Sequence, residues 1–153
     1  MSLIAVRWLL AALHLLALPI GFAAVTARAI GLRRSPTGPD LRTVFAADSV
    51  WGISALLWIT TGLVRAFTRV EKGADYYLGN DWFWIKMALL VLILALEILP
   101  MATLIRWRLS LRRGTPIDVA RTGLISRISV AQAALLVAMV VAATGMARGF
   151  GNR

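Results

Sequence analysis

The residues of this 153-residue chain that are equipped to do chemistry stand inside its most apolar stretches. Lys86 and Glu97 both fall in "DWFWIKMALLVLILALEIL", residues 81–99. Eleven residues at about 100° each bring a helix back to within about 20°, so Lys86, Leu90, Ile93 and Glu97 form one stripe, its two charges about 16 Å apart along the axis. They cannot pair with each other. Each needs a partner from another helix, because ionisable groups at membrane depth face the bundle interior and pair there or mark a site.

The other candidates sort into two layers. His14, the only histidine, lies about 9 Å along its helix from Trp8, and Lys86 about 6 Å from Trp82, at about 1.5 Å per residue. Arg65 closes the second apolar stretch at the same level. Nitrogen bases converging there would attract an anionic or electron-rich ligand. Arg28, Asp48, Glu97 and Arg127 form the second layer, where opposite charges are expected to pair as a structural network, with Gln132 joining it. His14 has two open readings: a hydrogen-bonded interior imidazole, or a haem-iron ligand. Without a second histidine, the opposing axial position would fall to Met87, Met139 or Met146, to a lysine, or to none. The five methionines could equally be packing filler.

These residues are carried by long apolar helices. With 59% hydrophobic and 16% charged residues, and a mean hydropathy of +0.78, the chain lies outside the soluble range. Four stretches, approximately 8–30, 44–66, 82–105 and 124–146, reach the roughly 20 residues needed to span a hydrocarbon core. The reading is an all-α, integral membrane four-helix bundle with short loops, one transmembrane domain over 1–153. The run from Trp8 to Ala27 exceeds the ~7–15 residues of a signal-peptide core, so the first span is expected to be retained. Pro19 and Pro100 are expected to kink the first and third spans. The first connection, with Pro36, Gly38 and Pro39, reads as an irregular loop, and the aromatic second connection as an interfacial belt. Asp118 is a candidate cap for the fourth span. Ala134, Ala138 and Ala142 invite close approach of a neighbouring helix.

Arg28, Arg33, Arg34, Arg42 and six further arginines from Arg106 to Arg127 fall on one side, ten basic residues against six on the other. The positive-inside bias therefore predicts both termini on the non-cytoplasmic side of a bacterial inner membrane. The net charge of +10 is explained by span ends and lipid headgroups, and no nucleic-acid partner is expected. The chain has no cysteine, which excludes disulfides, thiolate metal sites and cysteine nucleophiles. No G-x-G-x-x-G fingerprint for flavin or nicotinamide is present.

A lone histidine in the first span, Trp82-x-x-x-Lys86 opening the third and Arg28 ending the first distantly resemble the four-span, haem-b membrane protoporphyrinogen oxidases and their copper-resistance relatives. The resemblance implies haem b held through His14 and Lys86, with Arg28 near the far end of the first span. The chain departs from that pattern at Glu97, where that family tends to place a histidine. The whole chain is more similar to an uncharacterised bacterial family of four-span proteins of about 150 residues.

Two functions follow as expectations. The first is a haem- or tetrapyrrole-binding redox protein in which His14 is the iron ligand, Lys86 with Arg65 or Arg28 holds carboxylates, and a quinone or partner oxidase exchanges electrons. The alternative is a non-catalytic accessory subunit of a larger respiratory or photosynthetic membrane complex, or a homo-oligomer. A weaker third reading is a proton route from Lys86 to Glu97 through Thr60, Thr61 and Gln132.

Overall fold

The computed structural model describes residues 2–33, 40–68 and 74–151. Four long helices carry the chain back and forth: α1 (Leu3–Arg33), α2 (Leu41–Phe67), α4 (Asp81–Arg112) and α5 (Thr122–Ala147), with a short α3 (Ala74–Leu78) between α2 and α4. All four long helices are apolar and long enough to cross a membrane. Each runs one to seven residues beyond its predicted span at either end. α1 and α4 continue unbroken through Pro19 and Pro100. Pro36, Gly38 and Pro39 lie outside the described residues, as do residues 69–73.

The distribution of side chains inverts that of a soluble domain. Arg28, Gln132, Ser126, Ser129 and Asn80 are fully buried, while Ile4, Leu15 and Ile53 point outward. In lipid there is little to gain from hiding a leucine and much to lose from exposing an amide.

The helices form a row in which α1 packs on α2 and α5, and α5 on α4, while α2 and α4 make almost no backbone contact. Small residues permit the close approaches: a Cβ at Gly21 would meet the Trp51 ring at 3.3 Å. Ala134 and Ala138, expected to serve the same purpose, face outward, and only Ala142 of the three is buried. The packing face of α5 instead runs through Ser126, Ser129, Gln132, Leu136, Met139 and Ala142, a stripe from which positions 134 and 138 are rotated away.

Side-chain caps fix the helix starts. Asp40 accepts from the Thr43 amide at 3.2 Å, and Asn80 from the Trp82 amide at 2.9 Å. Asn80 also donates to the carbonyl of Phe150 at 3.1 Å, which ties the segment after α5 to the start of α4. Asp118 does not cap α5, whose N-cap is Arg121 without a side-chain bond. Its carboxylate accepts from the Ala120 amide, closing a local turn before the helix begins.

Candidate functional site

The Arg28 end of the bundle holds a closed polar network. Arg28 enters it from α1 with its side chain fully buried, and all five of its N–H donors are used. Nε donates to Ser129 at 3.0 Å. Nη1 donates to Asp48 at 3.0 Å and to Glu97 at 2.7 Å. Nη2 donates to Glu97 at 2.8 Å and to Gln132 at 2.8 Å. The Arg28–Glu97 pair is thus bidentate, and Gln132 returns a bond to Glu97 at 2.8 Å.

Asp48 needs a second cation, and Arg108 provides it at 2.9 Å. Arg108 also donates to the Phe45 carbonyl at 2.9 Å and to Ser49 at 3.2 Å, so a side chain of α4 clasps α2. The expectation that Arg127 would serve here is corrected. Arg127 is exposed, because on α5 it lies about 200° round from Ser129 and so faces away from the network. Arg108 was missed as a partner, yet its signal was present: Lys86, Glu97 and Arg108 recur at eleven-residue spacing and share one stripe.

The His14 end is organised differently. His14 Nδ1 lies 3.1 Å from the Trp58 carbonyl and 3.0 Å from the Thr61 hydroxyl. A carbonyl can only accept, so Nδ1 carries the proton and Nε2 keeps its lone pair. The Thr61 hydroxyl donates its own proton to Leu57 at 2.6 Å, leaving its oxygen to accept from Nδ1. The ring stacks on Trp58 with centroids 5.7 Å apart. Gly62 makes room for it: a Cβ there would come within 3.0 Å of His14 Cε1. Nε2 has no hydrogen-bond partner among the described residues.

His14 lines a cavity of about 410 Å³, together with Arg65, Lys86, Met87, Met139 and Met146, a volume within the range of small-molecule sites. His14, Lys86 and Arg65 are therefore gathered at one site, and Arg28 is not: it belongs to the network at the other end. Lys86 is half-buried, and its ammonium makes no hydrogen bond or ion pair among the described residues. Trp58 and Gly62, which orient the histidine together with Thr61, were not singled out from the sequence, and Thr61 was expected only as a step of the proton route. Thr60 donates to Leu56 of its own helix and is exposed, which removes it from the candidate proton route.

Among the described residues no three His, Cys, Asp or Glu side chains cluster as a metal-ion site. A single histidine therefore suits a metal that brings most of its own ligands. Haem fits this donor set: one free imidazole nitrogen, thioethers in the same cavity, an apolar lining and cations for its carboxylates.

The sequence profile of a family described as "Predicted membrane protein (DUF2214)" matches residues 6–151. No curated protein and no solved structure matches the chain.

Proposed function

We propose, for a chain that belongs to the DUF2214 family of predicted membrane proteins, that the cavity at the His14 end is a haem b site and that the protein takes part in membrane electron transfer. The observation that carries the reading is the imidazole of His14, held through Nδ1 on the Trp58 carbonyl at 3.1 Å with Nε2 unbonded among the described residues. Metal-bound histidines are commonly fixed in this way, the second ring nitrogen donating to a backbone carbonyl.

The roles divide by chemistry. His14 Nε2 would ligate the iron, Met87, Met139 and Met146 line the same cavity as further soft donors, and Lys86 with Arg65 would hold the propionates. Bound haem supplies one-electron chemistry. The polypeptide orients the ligand, excludes water with its apolar lining and balances the carboxylates. A quinone in the bilayer or a partner oxidase is the electron partner. Both termini, and with them the cavity, lie on the non-cytoplasmic side of a bacterial inner membrane, which the basic residues of the opposite connections support.

The test is an absorption spectrum of protein purified in mild detergent from haem-replete cells. A Soret band is expected, lost in His14→Ala and partly restored by added imidazole. A colourless, correctly folded preparation would overturn the reading.

A second reading, an accessory subunit of a larger respiratory or photosynthetic complex, draws on a groove between α1 and α5. Phe22, Thr26, Arg33 and Ala134 line it on the outside of the bundle, and small residues suit helix docking. It predicts co-purification at fixed stoichiometry, and a homogeneous monomer in mild detergent counts against it.

A further inference from the structure

We infer that the cavity exchanges its occupant with the bilayer through a window between α2 and α4, and that it accepts amphiphiles whose carboxylate is set against Lys86. This rests on reading the cavity as a binding site, but not on iron.

The window follows from the packing. α2 and α4 are the one side of the four-helix arrangement without appreciable backbone contact. The gap is framed at one end by the Arg108 clasp on Asp48, Ser49 and the Phe45 carbonyl. At the other end it is framed by the edge-to-face rings of Phe67 and Phe83, 6.3 Å apart. Between these frames no hydrogen bond joins the two helices among the described residues. The cavity lies behind this stretch, and its α2 wall reaches the lipid-facing surface: Leu63 and Phe67 both line it and are 46% and 52% exposed. A molecule leaving the cavity on that side meets hydrocarbon.

The class of occupant follows from charge. An ammonium inside a membrane bundle ordinarily pairs or lines a functional path, and Lys86 has no anionic partner among the described residues. Apolar side chains make up most of the remaining lining. The site therefore complements a carboxylate on an apolar body, whether a chain or a ring system.

Trp58 reports on the site, since it lines the cavity. Haem-free protein in phosphatidylcholine vesicles is titrated with a fatty acid brominated along its chain, and the Trp58 signal is taken as wild type minus Trp58→Phe. Saturable quenching is expected, with affinity reduced about tenfold in Lys86→Gln, the effect of losing one charge-assisted hydrogen bond. Iodide in the water should quench Trp58 little, and the same bromines carried on phosphatidylcholine less than the fatty acid.

A second measurement guards against misfolding of Trp58→Phe. Leu63→Cys introduces the sole thiol of a cysteine-free chain. A lipid-soluble maleimide should label it, fatty acid should slow the labelling, and a charged water-soluble thiol reagent should leave it unmodified. Quenching by iodide, rapid labelling from water, or fatty-acid binding indifferent to Lys86 would overturn the inference. Colourless protein that still binds the fatty acid would remove the haem reading alone. A Soret band with Trp58 quenched from water would remove this inference alone.

Discussion

Replacing Arg28 by methionine tests the assignment of the Arg28 network as the element that holds the bundle together. The substitution keeps an unbranched side chain but deletes five donors, to Ser129, Asp48, Glu97 twice and Gln132. Interhelical hydrogen bonds in membrane proteins average about 0.6 kcal/mol, which gives about 3 kcal/mol for five. Counted instead as a broken buried ion pair that strands Glu97 without its cation, the same loss is about 3–5 kcal/mol in soluble proteins. Glu97 retains 18% exposure, which holds the expected loss near the lower end of that range. Reversible unfolding in detergent, followed by tryptophan fluorescence, should therefore show Arg28→Met destabilised by about 3–4 kcal/mol. The double variant Arg28→Met/Glu97→Met removes the stranded charge and leaves Asp48 with Arg108 at 2.9 Å. It should recover a large part of the loss. If the single variant stays within about 1 kcal/mol of wild type, or the double is worse than the single, the network does not hold the helices as argued.

Gly62→Ala should displace the His14 ring, because the new methyl would sit 3.0 Å from Cε1. Weakened or spectrally shifted haem binding with little loss of helicity is expected, and an unchanged spectrum would contradict the proposed packing of the histidine. Arg108→Gln should cost about 1 kcal/mol, less than loss of Arg28, because its side chain is 36% exposed and exposed ion pairs contribute little. Arg127→Gln should fall within about 0.5 kcal/mol of wild type, as surface substitutions generally do. A larger effect in the same unfolding assay would mean that Arg127 has a partner after all.

The four spans were legible because crossing a hydrocarbon layer imposes length and composition on each helix separately. Within the Arg28 network, Arg28, Asp48 and Glu97 could be grouped from depth alone. Which arginine completed the set could not, since that depends on how α5 is rotated. Arg127 has a suitable depth but the wrong face, whereas Arg108 lies farther along α4 and reaches Asp48 across the open side of the bundle. The periodicity from Glu97 to Arg108 was the available signal. At the other end His14, Arg65 and Lys86 were likewise grouped by depth. Their meeting with Trp58, Thr61 and Gly62 depends on the docking of α1 against α2, and a carbonyl acceptor such as Trp58 leaves no mark in side-chain identity. Small-residue spacing misled for a related reason: Ala134 and Ala138 satisfy the pattern for close approach but face lipid, while Gln132 and Ser129 occupy the contact.

The two polar layers differ in completeness, and this difference separates structure from function. At the Arg28 end two arginines meet two carboxylates, and every donor of Arg28 is used. Arg28 itself has no donor left with which to bind a ligand, and the worth of the set lies in linking α1, α2, α4 and α5 at one level. At the His14 end the balance is left open among the described residues, with an imidazole nitrogen and an ammonium that have no partner there beside a cavity. The closed layer makes the open one possible. α2 and α4 are joined across their gap by Arg108, so they can stand apart at the His14 end without the row of helices coming loose. A bundle packed tightly along its whole length would have no room for the cavity, and one held only by leucines in lipid would have little to fix its width.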